Sequence, residues 1–266
     1  MFIMAIYDID GNVINTDSVS NGITIKRNSA ELVNEFLTLA QTYLNQTSFV
    51  YRDGQTIFDT SSSSNGIDCS TFVGLCMMGY EYSESPYATH VYINPSAWVA
   101  NPSLNWAIDL RKYKASKFAD GSDPETVRYA AHIAHWMSDR GQAVPLSNGF
   151  IDVRPGDIVF YGRKNESTGE WVHPNWFMHI NHIAIVLSKE DAPNTYVDGD
   201  GVTQTWDKDK YPYKHVIIDA GNTTPAVRTT HWLEEGQEDS TNVYKNNVNT
   251  VVMVCRFDLG ALQASE

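Results

Sequence analysis

The chain has 266 residues, enough for one large domain or two small ones with a substantial buried core. Its 19 Lys and Arg stand against 32 Asp and Glu, a net charge of −13 that excludes a nucleic-acid partner and opposes docking on anionic membranes or polymers by charge alone. No apolar run reaches the length of a membrane span, and three cysteines are too few for a disulfide framework.

Residues 1–27 read as a short N-terminal β extension, with Asp10-Gly11 as a hairpin-type turn. The segment Asp8-Ile9-Asp10-Gly11-Asn12 places its glycine too early for a calcium loop. Met1 to Tyr7 is too short and uncharged for a secretory signal, so the chain is expected to be made in the cytoplasm. Asn28 and Glu31 then form a capping pair before a helix whose stripe is Leu32, Phe36, Leu39 and Tyr43. A short extended piece, Phe49-Val50-Tyr51, leads to a serine-rich loop and to Gly66-Ile67-Asp68-Cys69-Ser70-Thr71-Phe72-Val73.

Here Asp68 is an N-cap, and Cys69 opens a helix buried through Phe72, Val73 and Cys76. A thiol in a helix's first turn faces unpaired N–H groups and the positive end of the dipole, both of which favour the nucleophilic thiolate. The alternative is a small buried core residue. Cys69 and Cys76 lie about 10 Å apart along the helix, too far to bridge, so the cysteines read as free thiols of a reducing compartment.

Residues 83–148 are punctuated by prolines and read as a helical insertion on the same domain, without a linker. It contains a helix with Asp123 as N-cap, Pro124 at its first position and its end at Gly141. Beyond it come β-branched runs at 157–161, 182–188, 215–220 and 251–257, with turns at Pro155-Gly156 and Gly199-Asp200-Gly201. Residues 227–249 and 258–266 are polar and turn-rich. Helices first and antiparallel strands later predict an α+β fold, a sheet with helices packed on one side.

A nucleophilic cysteine needs a base, and the base needs a group to orient it. His182 opens an apolar strand and is the candidate base; a backbone-bonded structural histidine is the alternative. Asp219 is the carboxylate within its own apolar run, where burial demands a partner such as the His182 ring, with Asn222 in reserve. His173, His179 and His182 cluster in sequence, but 179 and 182 would point to opposite faces of one strand, and His132 and His135 read as a solvated helix face. No metal or cofactor is expected. Trp171 and Trp176 either stack on sugar or pack a loop down.

Three motifs stand in order: Asp68-Cys69-Ser70-x-Phe72-Val73, Arg154-Pro155-Gly156-Asp157-Ile158-Val159-Phe160-Tyr161 and His182-Ile183-Ala184-Ile185-Val186-Leu187. Together they resemble the NlpC family of papain-like bacterial cell-wall cysteine peptidases, over residues 29–82 and 150–257. The chain departs from that family in Thr71 for the usual glycine, in lacking Trp-Gly-Gly after Tyr51, in the long 83–148 segment, and in Asp219 where histidine is common. The resemblance implies a papain-like domain over 28–266 that cleaves an amide bond of peptidoglycan stem peptides through a cysteine thioester. It assigns Cys69 as nucleophile, His182 as base, Asp219 as orienting group, and the Cys69 N–H with Tyr51 at the oxyanion. Ser70 and Asn222 become substrate-side candidates. The absence of a signal implies a phage-type lysin or tail-associated enzyme, released by lysis or delivered by phage structural proteins. An idle wall-binding module and a thioester-forming acyl transferase are alternatives on the same fold.

Overall fold

The computed structural model describes residues 30–47, 50–51, 66–80, 129–146, 150–165, 167–197, 201–232 and 249–256. The expected hairpin at Asp10-Gly11, the Asn28 cap, Asp123-Pro124 and most of the 83–148 segment lie outside them.

Helix α1 (Ala30–Gln41) buries the stripe that its spacing predicts: Leu32, Phe36, Leu39 and, just past its end, Tyr43. The Tyr43 ring meets Phe72 edge-on at 5.6 Å, and its hydroxyl donates to the Tyr80 carbonyl at 2.5 Å. These contacts clamp α1 to helix α2 (Cys69–Met77). Helix α3 (Ala130–Asp139) buries Ile133, Ala134, Trp136 and Met137 in the same core. Its start differs from the expected one: Tyr129 is extended (φ −101, ψ 165), and its N–H donates to His132 Nδ1 at 3.3 Å. Strand pairing of β3 (Ala143–Val144) ties the following residues to the sheet as well, so 130–144 pack with the same core as α1 and α2.

The fold is α+β. Strands β1 (Val50–Tyr51) and β2 (Gly66–Ile67) pair in parallel. The main sheet is formed by β3 (Ala143–Val144), β4 (Asp157–Arg163), β5 (Ile180–Asp191), β8 (Tyr213–Ala220), β9 (Val227–Trp232) and β10 (Asn249–Arg256). It runs β3-β10-β4-β5-β8-β9, antiparallel throughout. A hairpin of β6 (Thr195–Val197) and β7 (Thr203–Thr205) is a separate ribbon, with Trp206 and Tyr211 packed at its base.

Side-chain alternation divides the sheet cleanly. Ile158, Phe160, Ile183, Ile185 and Ile218 face the three helices. Val159, Tyr161, Ala184, Val186 and Ile217 fill a second cluster with Val153. The turn into β4 depends on Gly156, whose φ of +89 suits glycine and whose missing Cβ would stand 2.9 Å from Val33 Cγ1. Asp157 then holds this corner: Arg256 Nε and Nη2 each donate to its carboxylate at 2.9 Å, and the Arg154 N–H does so at 3.0 Å.

His215 on β8 is buried, and burial, helped by Lys189, depresses its pKa to about 4 against the opposing hydrogen bond that the ring donates to the Val153 backbone carbonyl. Between pH 4 and 6.5 the unfolded chain therefore binds a proton that the folded chain refuses. Its stabilising share is present above 6.5 and lost as pH falls to 4, on the order of 3 kcal/mol. Urea melts across this window should show stability falling on acidification, with a shallower fall in His215→Gln; equal slopes would refute the assignment.

Candidate active site

Asp68 caps α2 as its sequence position predicts. Its Oδ1 accepts the Thr71 N–H at 2.7 Å and the Ser70 hydroxyl at 2.9 Å. Ser70 is buried with its hydroxyl directed onto this cap, so the structure gives it a local structural bond rather than a substrate-facing one.

Cys69 thereby stands at the first position of α2, 6% exposed, with its sulfur against strand β5. Its thiol donates to the Asn181 carbonyl at 4.0 Å, and the Ile183 backbone N–H hydrogen-bonds the sulfur. These two groups bracket His182. The described pairing of β5 with β8 begins only at Ile185, so the backbone of 181–183 lies beyond that ladder, where the start of α2 docks.

His182 is buried, and its Nε2 lies 2.9 Å from Asp219 Oδ2. By alternation both side chains belong to the sheet face of Tyr161 and Ala184, and the Tyr161 ring lies 5.7 Å from the imidazole. The sulfur thus approaches from the helix side at the strand's backbone, while the imidazole–carboxylate pair lies across the same strand. Asp219 is 0% exposed, which meets the expectation that a carboxylate there needs partners. It has a second one: Arg228 Nε donates to Oδ1 at 3.1 Å. Asn222 is exposed in the turn after β8, so the orienting contact to His182 is made by Asp219.

The charge state of the sulfur differs from the expectation. Burial pushes the Cys69 thiol well above its ordinary pKa; Asp68 and Asp219 push the same way, against the N–H groups of Ile183 and Ser70. Removal from water is the largest of these influences and disfavours the thiolate that a helix end would favour. Cys76 and Cys255 are buried free thiols whose pKa burial also raises, Cys255 to about 12.

Tyr51 is half-buried and pairs in register with Ile67, two residues before Cys69. The two tryptophans are engaged by protein partners. Trp176 stacks on His173 at 3.9 Å and on Tyr129 at 5.5 Å, while Trp171 stacks on His179 at 4.7 Å beneath the Lys164 ammonium. They pack the segment ahead of β5 rather than presenting open faces to a sugar. That segment ends in the 3-10 turn Phe177–His179, where Met178 and His179 take left-handed φ of 48 and 60. Such conformations cost roughly 1–2 kcal/mol each and aim the chain into Asn181 and His182.

His132 is bonded to Tyr129 and His135 to Asp139, 3.1 Å away. Among the described residues no group of three His, Cys, Asp or Glu side chains is placed to hold a metal ion. Nor is any described helix long and apolar enough to cross a membrane. No known protein family, curated protein or solved structure matches the chain.

Proposed function

We propose that this chain is a papain-like thiol hydrolase of the NlpC type that cleaves an amide bond in peptidoglycan stem peptides. The observation carrying the reading is the buried His182–Asp219 pair at 2.9 Å, on the strand whose flanking backbone groups hold the Cys69 sulfur. Asp219 engages Nε2 and so fixes the ring, so proton exchange falls to Nδ1 and requires the Cys69 thiol to move past the β5 backbone that separates it from the imidazole in the resting structure.

The resting thiol is neutral, so attack is coupled to proton transfer. Cys69 gives its proton to His182 as the sulfur adds to the amide carbon, and the Ile183 N–H supports the charge on sulfur. The backbone N–H of Cys69 at the start of α2 holds the oxyanion, with Tyr51, paired to Ile67 two residues earlier, as the side chain that assists it. The C–N bond then breaks as His182 protonates the leaving amine, and a thioester remains. Water, deprotonated by His182, cleaves the thioester to the carboxylic acid and restores the thiol.

The negative charge fits delivery to a wall by other means than attraction to anionic polymers, as for a phage lysin or tail-associated enzyme. Mass spectrometry of muropeptides digested by the wild type should reveal a new free carboxyl and a new amine at one stem-peptide bond. Intact muropeptides would refute the reading. Products joined to an added amine, in place of the free acid, would redirect it to acyl transfer.

A further inference from the structure

The turn-rich reading of residues 227–249 passes over a charged residue at the back of the site. Strand β9 places Arg228 directly opposite Asp219, and its Nε donates to Oδ1 at 3.1 Å while His182 takes Oδ2 at 2.9 Å. The carboxylate is fully buried and the arginine side chain only 15% exposed, so water screens the pair little. Gly221 makes room for it: a Cβ there would stand 2.7 Å from Arg228 Nη2 and 3.0 Å from Cζ. The guanidinium occupies a place that the backbone leaves open.

We propose that Arg228 is a positioning residue of the thiol site. It locks Asp219 with one oxygen on His182, and it offsets the carboxylate's charge so that sulfur and imidazole work beside a net-neutral pair. This rests on the proposed Cys69–His182 chemistry. The described charged and titratable groups around that chemistry are few. Asp68 comes from the start of α2, Tyr161 from β4, Asp219 from β8 and Arg228 from β9. Asp68 and Asp219 both oppose ionisation of Cys69. Arg228 is the cation of this set, and without it the acidic surroundings act on the sulfur with less compensation.

The test is the pH profile of Cys69 alkylation by iodoacetamide, located by peptide mass spectrometry so that Cys76 and Cys255 do not interfere. Arg228→Gln should move the rising limb to higher pH, with about tenfold slower alkylation at a fixed pH on that limb. Arg228→Lys should retain much of the wild-type position because it keeps the charge. The double variant Asp219→Asn with Arg228→Gln, which removes both charges together, should return the limb toward wild type. A limb unmoved in Arg228→Gln, or no recovery in the double variant, overturns the proposal. Should Arg228→Gln fail to fold, the double variant decides: a near-wild-type limb supports charge offset, and a displaced one overturns it. The same profile in His182→Ala separates the two levels. If that variant matches wild type, there is no cysteine–imidazole coupling for Arg228 to tune, and both readings fall; if it differs while Arg228→Gln does not, only the role of Arg228 falls.

Discussion

Cys69→Ala is expected to abolish clearing of purified cell walls, a loss of about 10⁴-fold or more, with the fold intact. In the proposed reaction the sulfur is the atom that forms the thioester. Ser70, next in the chain, has its hydroxyl bound to Asp68. The structural cost is small, since the change removes one sulfur at the edge of a core that α1, α2 and α3 fill with larger side chains. Cys255→Ala is the matched control: Cys255 is buried on β10 among the helix-facing residues, and its replacement should leave turnover unchanged. Turbidity assays on both variants, with thermal melts to confirm folding, check this. Equal activity in the two would remove Cys69 from the chemistry.

His182→Ala should cost about 10³-fold or more, because in the proposed reaction the Cys69 thiol has then lost the group that takes its proton. The fold should survive: Asp219 loses one partner but retains Arg228 on Oδ1. Asp219→Asn should cost less, on the order of 10²-fold, since an amide can still meet the ring but no longer stabilises the imidazolium. The effects should not multiply. In the proposed mechanism Cys69 and His182 act as one unit, so the double variant should be no slower than Cys69→Ala alone. Initial rates of muropeptide release across this set give the answer, and a double variant far slower than either single change would contradict a shared step.

Much of this arrangement was legible in the chain because its central strands are long and β-branched. The runs beginning at Asp157, His182 and His215, and the run around Val251, are β4, β5, β8 and β10. Asp68 reads as a cap from its position alone, and Asp219 announces its need for a partner by standing among Val216, Ile217, Ile218 and Ala220. The edges were harder. Strand β3 is two residues long, and β9 is Val227-Arg228-Thr229-Thr230-His231-Trp232, whose polar content hides a β-branched alternation. Arg228 was missed with it, because a lone arginine looks solvated until the register puts it opposite a buried carboxylate.

Two further expectations failed for tertiary reasons. Apolar residues at three- and four-residue spacing (Val127, Ala131, Ala134 and Met137) suggest a helix running back to Pro124, yet Tyr129 is extended, with its N–H bonded to His132 and its ring stacked on Trp176. The thiolate expected from a helix end fails because local sequence reports the cap and dipole but not the packing of β5 over the sulfur. Dehydration is the larger effect. In the proposed mechanism Cys69 is therefore ionised during attack rather than stored as a thiolate.

A covalent bond between Cys69 and substrate is the central requirement of the proposed reaction. Wild-type protein mixed with purified stem-peptide fragments and quenched in acid within one turnover should carry the mass of an acyl group, mapped to Cys69 and absent from Cys69→Ala. A wild-type protein that releases products without ever gaining that mass, alongside a Cys69→Ala variant that releases them as fast, would contradict it.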